Sequence, residues 1–375
     1  MGPKQREDVN VGPGGRRACA TQFLCSELQG NLQGHPAMTA PATIHELDAL
    51  LSEPNGAVMR ALESCPGDII VLGAGGKMGP TLARMAARAT RHDGRRVIAV
   101  SRFSSNDAKA SLHAAGVETI ACDLLDPAQV EALPAAPNVI FMAGQKFGTS
   151  EAPERTWAMN VTVPEIVAMR YASSRIVAFS TGNVYPLVPV AGGGAVESGP
   201  TGPIGDYARS CLARERVFEA AALRGTKVAI VRLNYAIDLR YGVLTDVASR
   251  ILAGTPVSLE MGYVNVIWQG DANRAALELL PRAAAPADPW NVTGRDVLAV
   301  RMLATELGHR LGRGPIFEGT EAPDALLSNA GRMHTELAAP EMPLRTMLDW
   351  TAEWIASGRP LLGKPTKFDV RDGAF

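Results

Sequence analysis

The sequence predicts an α/β fold, a doubly wound parallel sheet with a smaller C-terminal lobe, and three observations carry that reading. Short apolar runs such as Ile69-Ile70-Val71-Leu72, Val97-Ile98-Ala99-Val100 and Val139-Ile140-Phe141-Met142 lack polar alternation, as strands buried on both faces do. Segments with helical period separate those runs, the arrangement that covers a parallel sheet on both sides. A glycine-rich turn follows the first run and opens the first of these helices.

Residues 1–40 mix charges, glycines and glutamines without a period and read as a disordered arm. The first patterned segment spans 44–62, before the strand at 69–72. A helix over 78–89 and a strand over 97–100 follow, then a helix at 107–115, a strand at 118–121 and a short helix at 127–133. The strand at 139–142 precedes a helix over 160–172, a strand at 175–179, a long helix at 207–223 and a strand at 228–233. This pattern predicts a nucleotide-binding domain over 41–235. A capping lobe over 236–375 then carries helices at 246–252, 271–280, 297–311 and 343–356, with short strands near 264–268 and 290–292. The stretch Lys364-Pro365-Thr366-Lys367-Phe368 either closes the site or packs elsewhere.

Composition narrows the function. The 375 residues carry 37 lysines and arginines against 38 aspartates and glutamates, so charge gives no case for nucleic acid or an anionic membrane as partner. A small-molecule substrate is expected instead. Five cysteines (Cys19, Cys25, Cys65, Cys122, Cys211) form no C-x-x-C pair, which argues against a disulfide framework or zinc site and for a reducing cytoplasm. Six histidines lie singly, at no metal-ligand spacing, so no metal is expected. No apolar stretch of about 18 residues and no secretory h-region is present, and the chain reads as soluble.

The turn after the first strand is Gly73-Ala74-Gly75-Gly76-Lys77-Met78-Gly79. Gly73 permits a tight turn, Gly76 lets backbone amides approach a pyrophosphate, and Gly79 allows close helix–strand packing. The helix N-terminus then faces the anion, the Rossmann arrangement for a dinucleotide. Lys77 is followed by Met78 rather than Ser or Thr, which excludes a Walker loop. The second strand ends at Ser101-Arg102, where an NAD site would place a carboxylate on the ribose. A hydroxyl and a guanidinium there can hold a 2′-phosphate, so NADP is favoured over NAD. Arg102 could equally be a solvated loop residue, and Asp123, before Leu124, could meet the adenine or simply form a turn.

With these residues in place, the chain resembles the extended short-chain dehydrogenase/reductases, the NAD-dependent epimerase/dehydratase family. Gly73-x-x-Gly76-x-x-Gly79 matches the family's glycine motif, and Ala143-Gly144-Gln145-Lys146 is similar to its cofactor-contacting loop. Asn160 sits where the family has its characteristic asparagine. Ser180-Thr181-Gly182-Asn183-Val184-Tyr185 is similar to the family's Ser-Ser-x-x-Val-Tyr, and Trp268-Gln269-Gly270-Asp271 resembles a segment of the substrate lobe. The expected cofactor contacts are Gly73, Gly75, Gly76, Lys77, Met78, Gly79, Ser101, Arg102, Asp123 and Leu124 from the residues themselves, and the resemblance adds Ala143, Gly144, Lys146, Asn160 and Tyr207. It implies a catalytic hydroxyl at Thr181, substrate contacts from Asn183 and Asn234, and a homodimer formed through the tyrosine-bearing helix.

One departure matters. The family's Tyr-x-x-x-Lys is here Tyr207-Ala208-Arg209-Ser210-Cys211, without the lysine. Residues four apart share a helix face, and a cation there lowers a phenol whose ordinary pKa is about 10. Arg209 points to another side of the helix, and Arg214 lies roughly 10 Å further along it. Lys146 is the best substitute, either as that cation or merely neutralising phosphate. Two functions follow. One is an NAD(P)-dependent oxidoreductase or epimerase/dehydratase acting on a sugar-like or polyol substrate, with Thr181, Tyr207 and Lys146 as catalytic residues. The other is a nucleotide-binding sensor of weak or no activity.

Overall fold

The computed structural model describes residues 2, 39–103, 106–146, 153–364 and 366–374, so the arm over 1–40 lies almost wholly outside the described residues. Residues 41–375 pack as one unit. Its centre is a seven-stranded sheet of β1 (Ile69–Leu72), β2 (Val97–Ser101), β3 (Glu118–Ala121), β4 (Asn138–Phe141), β5 (Arg175–Thr181), β6 (Lys227–Leu233) and β7 (Asp288–Val292). Every pairing is parallel, in the order β7-β6-β5-β4-β1-β2-β3, and the order reverses between β1 and β4. Ligands of such sheets bind at that switch point, beyond the carboxyl ends of the strands.

The apolar runs explain the layering. In β1, Ile69 and Val71 face one core with Val97, Ala99 and Ile140, while Ile70 and Leu72 face the other with Ile98, Val100 and Phe141. All four β1 side chains are fully buried, each burial contributing about 1.5–3 kcal/mol. The first face is covered by α1 (Ile44–Leu51), α2 (Gly56–Glu63), α3 (Gly79–Ala89) and α10 (Gln269–Glu278). The second is covered by α5 (Pro127–Glu131), α7 (Val163–Arg170) and α8 (Gly205–Leu223). The remaining helices are α4 (Asn106–His113), α6 (Pro153–Trp157), α9 (Val243–Ala253), α11 (Val300–Leu311), α12 (Gly331–Glu336) and α13 (Leu344–Ala356). Among the described residues no helix is long and apolar enough to cross a membrane.

Three elements differ from expectation. The segment 44–62 is two helices, because Pro54 interrupts it and Asn55 caps the second by accepting from the Val58 N–H at 3.0 Å. The helix expected at 160–172 begins earlier, with α6 running through a π-turn, Ala158–Thr162, into α7. The strand near 290–292 is β7, paired with β6 as the sheet edge, so the central sheet draws on sequence beyond residue 235.

Candidate active site

The carboxyl ends of β1, β4, β5 and β6 open into one cavity of about 280 Å³. Gly73, Gly76, Lys77, Met78 and Gly79 form one wall. Lys146, Thr181, Asn183, Tyr207 and Asn234 line it as well, joined by Tyr235, Tyr241, Val243 and Thr366.

The glycine loop fits a dinucleotide. Gly73 has φ +87°, and a Cβ there would lie 2.5 Å from the Ala143 nitrogen, so the β1 turn tolerates no side chain. A Cβ on Gly79 would lie 2.6 Å from Ala74 backbone, which holds α3 close against the loop. No side chain caps the α3 N-terminus, so its free N–H groups suit a pyrophosphate. Ser101 and exposed Arg102 end β2, and Ser101 Oγ packs against Gly75. Asp123 accepts from the Leu125 N–H at 3.1 Å in a turn, and the Leu124 side chain is buried in the second core.

The loop after β4 is fastened from behind. Asn160, fully buried in the π-turn, accepts from the Gln145 N–H at 2.9 Å and donates to the Gln145 carbonyl at 3.1 Å and Ser210 Oγ at 2.8 Å. Arg214 donates to Asn160 Oδ1 and, at 2.9 Å, to the Phe179 carbonyl, and its guanidinium fills the space a Gly144 side chain would need. Asn160 and Gly144 thus set the position of Lys146. Lys146 donates to the Thr366 carbonyl at 3.1 Å and sits 5.9 Å from the Tyr207 ring centre. Thr366 in turn donates its N–H to Asp246 at 2.7 Å, which fastens the C-terminal segment across the cavity.

Thr181 donates to Asn183 Oδ1 at 2.9 Å and accepts from the Asn183 N–H at 3.2 Å, so the turn after β5 fixes its rotamer. Asn234 donates to the Leu326 carbonyl at 3.4 Å and is almost fully buried. Behind the strand ends, buried Glu215 accepts from Ser180 at 2.5 Å and pairs with Arg232 at 2.8 Å, and Arg232 donates to Tyr185. That pair anchors β5 and β6 to α8 at the level of the cavity.

The electrostatics explain the proton states. Burial first, and the Cys211 thiol second, push the Tyr207 phenol well above 10, while Arg214 and a hydrogen bond with Thr181 oppose them. Burial likewise raises the Cys211 thiol, again opposed by Arg214. Burial lowers Lys146 to about 8, against the pull of Cys211 and Asp246. Arg214, set aside from helix spacing, is the charge that pulls the Tyr207 phenol down against burial, and its guanidinium is held by the Phe179 carbonyl of β5. Tyr235 and Tyr241 were missed, although both follow β6, a signal that could have found them, whereas Thr366 lies in the stretch expected either to close the site or to pack elsewhere. Among the described residues no group of three or more His, Cys, Asp or Glu side chains could hold a metal.

A parallel sheet with a glycine loop at its switch point and a Thr–Tyr pair beyond β5 defines a nucleotide-binding α/β protein of short-chain dehydrogenase type. A sequence model of the NAD-dependent epimerase/dehydratase family matches residues 69–274, and the chain belongs to that family. No curated protein matches it. Among solved structures it is similar to the UDP-Glc/GlcNAc 4-epimerase from Campylobacter jejuni, at 20% identity and TM-score 0.65 over 78% of this chain and 100% of that one. It is also similar to the UDP-glucose 4-epimerase of Thermus thermophilus solved with NAD, at 20% identity and TM-score 0.62 over 76% and 98% of the two chains. The dTDP-glucose 4,6-dehydratase DesIV from Streptomyces venezuelae, solved with NAD and TYD, matches at 18% identity and TM-score 0.64 over 77% and 97%.

Proposed function

We propose that the chain is an NAD(P)-dependent oxidoreductase of the epimerase/dehydratase type, acting at a hydroxyl-bearing carbon of a sugar-like or polyol substrate. The observation that carries this reading is that the glycine loop, Lys146, Thr181 and Tyr207 line a single cavity. The glycine loop would hold the dinucleotide through its pyrophosphate, and the bound cofactor would supply hydride transfer, so the hydroxyl proton is left to the protein's own residues.

Tyr207 handles that proton. Its phenol is protonated at neutral pH and donates to a carbonyl oxygen in the reducing direction. In the oxidising direction it must first ionise, which Arg214 favours and Cys211 opposes, and the Lys146 ammonium 5.9 Å from the ring centre adds a positive charge on the same side. Thr181, held by Asn183, orients the substrate oxygen, and Asn234 borders the same space. Tyr241, Val243 and Thr366, from beyond β6, close over the same space. The absence of a carboxylate at Ser101-Arg102 supports NADP over NAD. Nothing in the comparisons supports the alternative of a sensor without turnover.

The test is to denature the purified protein, identify any released nucleotide by mass spectrometry, and titrate the emptied protein with NAD and NADP. Tightly held nucleotide supports an epimerase or dehydratase that regenerates its cofactor in each cycle. Reversible binding supports a dehydrogenase. Failure to bind either at millimolar concentration overturns the reading.

A further inference from the structure

The side chain of Lys77 leaves the glycine loop in an unexpected direction. Its backbone belongs to the loop that faces a pyrophosphate, yet Nζ reaches across the cavity to donate to the Ala236 carbonyl at 3.0 Å. It also lies 3.9 Å from the centre of the Tyr241 ring. Both partners follow β6, on the side that the capping residues cover. The ammonium therefore lies against the segment that follows β6, within the cavity that Thr181 and Tyr207 also line.

The cavity wall is net positive. Lys77 and Lys146 both line it, and no aspartate or glutamate does so among the described residues. The nearest carboxylates are engaged elsewhere: Asp238 pairs with Arg240 at 3.0 Å, and Asp246 accepts from Thr366 at 2.7 Å. A carbonyl and an aromatic face solvate the Lys77 ammonium without neutralising it. Thr366 closes one side of the cavity. A neutral sugar would bring no anionic group to meet the Lys77 charge.

We propose that the substrate is a hydroxy acid whose carboxylate is taken by Lys77, with its reacting hydroxyl directed to Thr181 and Tyr207. This rests on the reading above that the cavity takes a nicotinamide dinucleotide and a carbinol carbon. It replaces the broad sugar-like or polyol class by an aldonate-like anion. Burial lowers Lys77 to about 8, with Asp238 and Asp246 raising it and Arg240 and Lys146 lowering it. Recognition of the anion is accordingly full well below that pH and lost as pH rises through it.

The test compares threonate and gluconate with their neutral counterparts threitol and sorbitol, and with UDP-glucose, by calorimetric titration. Each is run with and without saturating NAD or NADP. Aldonates are expected to bind at least about tenfold more tightly than the alditols. Lys77→Gln should remove that preference while changing dinucleotide affinity less than about threefold, and Lys77→Arg should retain part of it. Raising the pH from about 7 to about 9 should weaken aldonate binding more in proteins that keep Lys77 than in Lys77→Gln, where Lys146 alone of the two cavity lysines titrates. The proposal is overturned if alditols or UDP-glucose bind as tightly as aldonates, or if Lys77→Gln weakens dinucleotide and aldonate equally, which would assign Lys77 to the cofactor phosphates. Failure of both dinucleotides to bind would overturn the cofactor reading alone, since the aldonate–alditol comparison without nucleotide still decides this one. Circular dichroism and melting of Lys77→Gln show whether a loss comes from misfolding.

Discussion

Lys146 Nζ stands 5.9 Å from the centre of the Tyr207 ring, on a loop that Asn160 ties to the helix bearing that tyrosine. A cation at this range favours the phenolate, and it does so only while the lysine is protonated, below about pH 8. Lys146→Met should lower kcat for oxidation by about tenfold, one pKa unit of Tyr207 ionisation. In the parent protein the rise of that rate with pH should slacken above about 8, where Lys146 loses its proton; in Lys146→Met it should rise without that break. A pH–rate profile of both proteins checks this.

Tyr207→Phe removes the only group given the proton-transfer role while leaving the ring in place. Turnover should fall about 10²–10⁴-fold, and the dinucleotide Kd should change less than about twofold. Fluorescence titration alongside steady-state rates separates the two. A variant that keeps near-parental turnover would remove Tyr207 from the mechanism.

Cys211→Lys restores a cation one helical turn from Tyr207. It exchanges a thiol that raises the phenol for a charge that lowers it, so Tyr207 should ionise at lower pH and oxidation should speed up at neutral pH. Ultraviolet absorbance of the phenolate, with Tyr207→Phe as blank, measures the shift. An unmoved titration in a folded variant would mean that the new ammonium turns away from the phenol.

The buried Glu215–Arg232 pair governs stability rather than chemistry. Glu215→Ala leaves an uncompensated guanidinium in the interior and should cost about 3–5 kcal/mol, whereas Glu215→Leu combined with Arg232→Met should cost much less. Urea unfolding midpoints of the two variants decide it. Equal losses would show that packing, not charge pairing, dominates there.

The strands of the sheet were legible because two-sided burial writes itself as unbroken apolar runs, as in Ile69–Leu72. Pairing was not: Trp290 and Asn291 suggest a strand, but only three-dimensional closure makes it the neighbour of β6. The π-turn around Asn160 also left no trace, since it alters one backbone hydrogen-bond spacing without altering composition. In the site, the glycine loop, Thr181 and Tyr207 could be found by local spacing. The stretch with Thr366 could be read as closing the site or as packing elsewhere, but spacing does not show that it meets Lys146, which lies 220 residues away in sequence. Nor does spacing reveal that Lys77 turns toward Ala236 and away from the loop that carries it.

The placement of β7 bears on how this protein can be altered. Because Asp288–Val292 supplies the border of the sheet beside Lys227–Leu233, cutting the chain near residue 235 would strip β6 of its neighbour and expose its backbone donors and acceptors. Grafting a foreign specificity region at that point would thus create a sticky edge rather than a clean joint. Changes of substrate preference are better sought by exchanging individual side chains around the cavity, leaving the strand that closes the sheet in its own chain.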